Sequence, residues 1–369
     1  MSTDNPATRK VAVCIDTQHI KVEERPLPIP NDSEVVVLIE ASGICATDLH
    51  LVRRSIPYLQ REVDVCGHEG VGRIVALGPD VDTSEWRLGD RVAHRWIFDV
   101  CRNCEMCQEG NEQLCDSRKL SGKDVEGCWG EYTIVNSKYL MRISEDISAT
   151  EAAPTLCAGM SGRPHASVLM LNNSVIPGTT AYRAIRTTGL TSGQWIAIIG
   201  AGGGLGHLAI QYAKASGLRV LGIDTGPSKR ELSCKLGVTS YIDFMDTPDL
   251  TADVIRVTDG GPHGVIVVSS SSMAYEQALQ YVRKMGIIVC IGITPNKMHF
   301  PIGPEYFVAR GVRLTGSSTG TMEDTREALQ YVRDGRVKPM IVEVRLEDIG
   351  ACLQALEKGE GDGRFVVKF

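Results

Sequence analysis

The stretch that most constrains this chain is "WIAIIGAGGGLGHLAIQYAKASGLRVLGID", residues 195–224. The apolar run WIAII has the length of a buried strand, and a glycine-rich turn follows it directly. Leu205, Leu208, Ala209, Tyr212 and Ala213 then recur at helical spacing and give a helix one buried face. A second apolar run ends at Asp224. The later runs GVIVVS and GIIVCIG, with AYEQALQYVRK between them, keep the alternation going. Strands alternating with helices imply α/β architecture with a parallel, doubly wound sheet.

The turn itself points to a dinucleotide. It opens a helix just after a strand, where backbone N–H groups and the helix dipole receive a pyrophosphate. Its fit to G-x-G-x-x-G is imperfect: one register fails at Leu205, and the other begins with Ala201 instead of glycine. Small residues still let the backbone approach a phosphate closely. Asp224, about 20 residues on, is placed to accept both ribose hydroxyls and to repel a 2′-phosphate, which favours NAD over NADP. Lys229 and Arg230 follow closely and soften that preference.

The first third of the chain reads differently. From about Val11 to Tyr139 it is short strands punctuated by Gly, Pro and Asp, and 369 residues are enough for two domains. A formal charge of −6 argues against nucleic acid and for a small-molecule partner. The polar start MSTDNPATRK and the lack of a long uncharged apolar run predict a cytoplasmic protein with no membrane partner. Twelve cysteines in that compartment point to metal or thiolate chemistry more than to disulfides.

Four of them form a knuckle. "CRNCEMCQEGNEQLC" holds Cys101, Cys104, Cys107 and Cys115, and thiolates so spaced can wrap one tetrahedral zinc from a single loop. Such a closed site is structural. An open site needs three protein ligands and a vacancy. "GICATDLH" and "CGHEGVG" supply Cys45, Asp48, His50, His68 and Glu69, with Cys157 further along. Cys45, His68 and Cys157 are candidate ligands, and Asp48 is placed to hold the far ring nitrogen of His68. Cys66, two residues before His68, would share its side in an extended segment and stands as an alternative ligand. Cys14, Cys128, Cys234, Cys290 and Cys352 have no partner at metal spacing and read as structural.

With GICATDLH, GHEGVG, the knuckle, APTLCAG, GGLGHLAIQYAKA, RVLGID, TDGGPHGVIVVS, DTREALQYVRDG and LEKGEGDGRFVV in order, the chain resembles the zinc-dependent medium-chain alcohol dehydrogenases, nearest to the yeast-type fungal enzymes. The resemblance implies a Rossmann domain, residues 179–314, inserted into a β-rich (GroES-like) catalytic domain made of 1–178 and 315–369. It implies two zinc ions, a catalytic one on Cys45, His68 and Cys157 with Glu69 as alternate ligand, and a structural one in the knuckle. NAD contacts are implied for Gly203, Gly204, Leu205, Asp224, Lys229, Ser269, Ser317 and Arg364. Thr47 would take the alcohol proton and pass it through the coenzyme ribose toward His50 near solvent. The expected reaction is reversible hydride transfer from a primary or secondary alcohol to NAD, giving aldehyde or ketone, in a homotetramer. A related polyol or aromatic-alcohol dehydrogenase is the other enzymatic expectation. Ala46 replaces a basic residue that contacts the pyrophosphate in many relatives. Ile56 replaces a pocket tryptophan, while Trp96 matches a second pocket aromatic, so the substrate pocket is expected to be enlarged.

One stretch departs from the resemblance. LCAG should run straight into TTAYRAIR, yet Met160 to Gly178 intervene, 19 residues or 57 nucleotides. The edges can be encoded as GGT-ATG-TC and CCA-GG, which carry a splice donor and acceptor. The stretch is therefore expected to be a retained intron, and the longer chain to be either active with a bulge or impaired in catalysis while still binding NAD and zinc.

Overall fold

The computed structural model describes residues 7–156, 178–269, 271–292, 302–358 and 363–369. Six parallel strands lie in the spatial order Ser240–Asp243, Arg219–Asp224, Trp195–Ile199, Gly264–Val267, Ile287–Cys290 and Arg313–Gly316. The chain starts in the middle, builds outward on one side, then crosses to the other. That is the doubly wound order, and its reversal beside Trp195–Ile199 creates the crevice where such sheets bind ligands. Side chains alternate along Trp195–Ile199 as a strand requires. Ile196 and Ile198 join a core with helices Gly178–Thr188 and Gly206–Ala215. Trp195, Ala197 and Ile199 join another with helix Ser272–Tyr281. Both faces are covered, which is why the strand reads as one apolar run.

A second, mixed sheet has seven strands. Ile341–Val344, Arg364–Lys368, Glu34–Gly43, Gly70–Leu77, Arg91–His94 and Met141–Arg142 follow one another, with Tyr132–Asn136 also pairing on Glu34–Gly43. Register shifts at Val36/Val37 and Ile39/Ala41 bend the long central strand. The sheet takes strands from both chain ends, with the parallel sheet formed by the chain between. Strand Arg313–Gly316 crosses the 314/315 boundary expected from the sequence, and its pairing with Ile287–Cys290 joins it to the parallel sheet. No helix among the described residues is long and apolar enough to cross a membrane.

Cys157 and residues up to Pro177 lie outside the described residues, so most of the expected insertion is not described. Its flanks meet. Thr179 Oγ1 donates to the Thr155 carbonyl at 2.6 Å. A Cβ added to Gly178 would sit 3.0 Å from both Thr155 Cγ2 and the Tyr212 hydroxyl. Behind this join, the buried Asp324 of helix Met322–Arg333 accepts from Arg183 at 3.0 Å and Arg186 at 3.3 Å, fixing helix Gly178–Thr188.

Candidate active site

Helix Ala46–Arg53 organises the first cluster. Cys45 is its N-cap, with Sγ accepting from the Thr47 N–H at 3.4 Å. Asp48 reaches back, and its Oδ2 accepts the Cys45 N–H at 2.9 Å. The other oxygen, Oδ1, accepts from the Gly67 N–H at 3.2 Å and from His68 Nδ1 at 2.9 Å. One carboxylate thus fixes two candidate ligands from separate loops. Because an ionised Oδ1 can only accept, Nδ1 of His68 keeps its proton toward Asp48, and Nε2 is the nitrogen a metal would take in exchange for a proton.

A ligand nitrogen of His68, Cys45 Sγ and an Asp48 oxygen all lie within 4.8 Å of one another, and all three residues are buried. Burial presses the His68 pKa down, but Asp48 and Cys45 outweigh it and leave it well above the ordinary value. A cation is what this negative pocket calls for. Thiolate with imidazole suits zinc. Leu156, the residue before Cys157, packs in the same core as Cys45 and Ala46. Cys157 itself is among the residues not described.

Two sequence expectations need correction. His50 is not near solvent: it is 1 % exposed, and burial pulls its pKa down to about 4. Its Nδ1 lies 2.7 Å from Ser55 Oγ, a partner that no motif marked. Cys66 does not share the side of His68. Gly67 between them has φ +93°, which breaks the extended alternation, and the Cys66 thiol lies 3.7 Å from that of Cys14. Cys14 therefore has a thiol neighbour that spacing did not reveal.

Glu69 is not among the groups that converge with Cys45, Asp48 and His68; it pairs with Arg364. Both its oxygens accept from Arg364 Nη2, at 2.7 and 2.6 Å, with both residues fully buried. Burial raises the Glu69 pKa to about 7 while Arg364 opposes the rise. To serve as an alternate ligand it would have to leave this pair. Thr47 is buried in the first turn of the same helix. Trp96 meets the His68 ring edge-on, centroids 4.9 Å apart, and shares a buried core with Ile56 and Leu49.

In the knuckle, the thiols of Cys101, Cys104, Cys107 and Cys115 lie within 4.8 Å of one another. Backbone N–H groups of Asn103 and Cys104 favour the Cys101 thiolate and bring its pKa down to about 6. Four convergent sulfurs fit one zinc.

The glycine-rich turn fits a dinucleotide because side chains are excluded from it. A Cβ on Gly206 would stand 2.0 Å from the Gly200 carbonyl, and one on Gly202 2.4 Å from Lys229 Cβ. Leu205 is fully buried as the N-cap of helix Gly206–Ala215, so a larger residue in place of the third glycine is accommodated inward. Asp224 accepts the Gly202 N–H at 2.9 Å and is approached by Lys229 Nζ at 3.4 Å. Ser269 and Ser317 follow the fourth and sixth strands, on the same carboxyl edge as Asp224.

Comparison with known proteins decides the family. Residues 31–145 match the alcohol dehydrogenase GroES-like domain, and residues 204–334 the zinc-binding dehydrogenase domain. The chain is 36% identical over 377 residues to alcohol dehydrogenase 1 of Caenorhabditis elegans, covering 100% of this chain and 99% of that protein. The chain belongs to the zinc-binding alcohol dehydrogenases. It is also 36% identical to an alcohol dehydrogenase of Geobacillus stearothermophilus over 95% of this chain and 96% of that one. Among solved structures, acetophenone reductase of Geotrichum candidum in complex with NAD superposes with a TM-score of 0.81 at 26% identity, covering 99% and 98% of the two chains. Membership explains why the buried Cys45–Asp48–His68 cluster and the glycine-rich turn occur in one chain.

Proposed function

We propose that this alcohol dehydrogenase takes a hydride from a primary or secondary alcohol and delivers it reversibly to NAD, releasing aldehyde or ketone. The observation that carries the reading is Asp48 holding His68 in its metal-binding tautomer beside Cys45. When bound, zinc acidifies the alcohol hydroxyl and NAD accepts the hydride. Cys45, His68 and Cys157 would hold the catalytic ion, and Cys101, Cys104, Cys107 and Cys115 a structural one. Thr47 takes the proton from the alcohol. His50, neutral because it is buried, would be the acceptor beyond Thr47, with Ser55 Oγ hydrogen-bonded to its Nδ1. Gly203, Gly204, Leu205, Asp224, Lys229, Ser269, Ser317 and Arg364 would receive NAD, with residues 179–316 as the coenzyme domain. Asp224, already accepting the Gly202 N–H, favours NAD over NADP.

Ile56 in place of a tryptophan, in the same core as Trp96, supports alcohols larger than ethanol. The yeast-type subgroup, a homotetramer and a cytoplasmic setting complete the proposal. The test is direct: measure zinc per chain, then NADH formation across a short alcohol series. Two zinc ions and turnover that rises with alcohol length are expected. An ethanol preference by a wide margin overturns the pocket reading, and zinc and NADH binding without turnover would support an impaired long form.

A further inference from the structure

His207 opens helix Gly206–Ala215 and is 1 % exposed. It is no part of the hydride-transfer chemistry, yet it stands between the two sheets. Its Nδ1 lies 3.2 Å from the Gly203 carbonyl, in the turn read as the pyrophosphate cradle. Its Nε2 lies 3.3 Å from the Met340 N–H, at the entry to strand Ile341–Val344 of the seven-stranded sheet. A carbonyl can only accept and an amide N–H can only donate, so one neutral tautomer, protonated at Nδ1, satisfies both. Burial keeps the ring in that neutral form by pulling its pKa down to about 4.

One helical turn on, Gln211 reads the same backbone. Its Nε2 donates to the Lys338 carbonyl at 3.1 Å, and its Oε1 accepts the Lys338 N–H at 2.8 Å. The link continues beyond Met340. The Met340 carbonyl accepts the Arg364 N–H at 2.7 Å, and the Arg364 side chain holds Glu69, the neighbour of His68. Four hydrogen-bonded links thus run from Gly203 in the coenzyme turn to Glu69 at the edge of the zinc cluster.

We propose that His207 is a positioning residue that fastens the pyrophosphate turn to the catalytic sheet through Met340, so that coenzyme affinity depends on the Nε2 bond across the boundary. The proposal rests on NAD binding at this turn. Asparagine and glutamine separate the two bonds. His207→Asn retains a donor near the Nδ1 position but cannot reach Met340. His207→Gln retains an acceptor near the Nε2 position.

The test uses the full chain. NADH is titrated by fluorescence, and amide exchange in segment 336–344 is followed without coenzyme. Leaving the half-buried Met340 N–H unpaired is expected to cost about fivefold or more in the equilibrium it supports. His207→Asn is expected to raise the NADH Kd about tenfold and to speed Met340 exchange by a similar factor. His207→Gln is expected to stay within about twofold of wild type on both readouts. Equal losses in the two variants, or wild-type affinity in His207→Asn, would overturn the proposal. So would an equal loss of NADH affinity in Gln211→Met, which breaks the boundary without touching Gly203. If His207→Asn does not fold, His207→Gln decides, and a folded His207→Gln chain with weakened NADH binding overturns it. A wild-type chain that binds no NADH overturns the coenzyme reading as well, whereas failure confined to the variants overturns this proposal alone.

Discussion

Asp48 does three jobs with two oxygens: it caps Cys45, holds the Gly67 N–H and fixes His68. Asp48→Asn keeps the shape but loses charge, and its amide nitrogen would face a donor. Removing such an outer partner weakens metal binding or activity roughly 10–100-fold. Zinc retention against a chelator, followed with kcat/KM, checks that. His94 poses the opposite case. It is fully buried, and among the described residues both ring nitrogens lack a hydrogen-bond partner. Burial, reinforced by the neighbouring His68 charge, pulls its pKa down to about 3. The unfolded chain therefore binds a proton that the folded chain refuses, and stability falls as pH drops from about 6.5 toward 3. His94→Leu is expected to stabilise the fold by about 1–2 kcal/mol at pH 7, since the unpaired nitrogens vanish. The advantage should grow by about 2 kcal/mol at pH 5. Urea unfolding at the two pH values reads both effects.

At the level of elements, the strand, turn and helix of residues 195–215 carry the coenzyme reading, and backbone contact makes that turn intolerant. A Gly206→Ala side chain would collide with the Gly200 carbonyl at 2.0 Å, so the turn must open. NADH affinity should fall at least tenfold while zinc content stays unchanged, as a titration paired with metal analysis would show. This element was legible in the sequence because its signal is local: apolar period, small residues and an acid at the next strand end. The knuckle was legible for the same reason, four thiols in 15 residues. What escaped was set by tertiary contact or by one backbone angle. The burial of His50 depends on elements packed around it, and Cys66 is turned by the positive φ of Gly67. The Arg364–Glu69 pair spans 295 residues, far beyond any local pattern. The sixth strand of the parallel sheet was cut by the expected boundary, since the junction carries no break in apolar rhythm.

For the whole molecule, the join at Thr155 and Thr179 bears on the added stretch. Excising Met160 to Gly178 leaves Gly159 to precede Thr179 in place of Gly178, and a glycine there avoids crowding Thr155 and Tyr212, 3.0 Å from any added Cβ. The shortened chain is expected to fold, to unfold at an equal or higher temperature because a shorter connection costs less closure entropy, and to turn over at least as fast. Matched thermal scans and alcohol assays of the two lengths check this, and a shortened chain that fails to fold would make the stretch integral to the structure. The last strand, Arg364–Lys368, carries a different consequence. It pairs with Glu34–Gly43 and supplies the partner of Glu69. During synthesis the coenzyme half is complete long before those residues exist, and domains fold as they emerge. Until the codons of Arg364–Lys368 are read, the part of the protein made first lacks the cation that answers Glu69, so the ribosome supplies that partner only after the whole coenzyme half has been made.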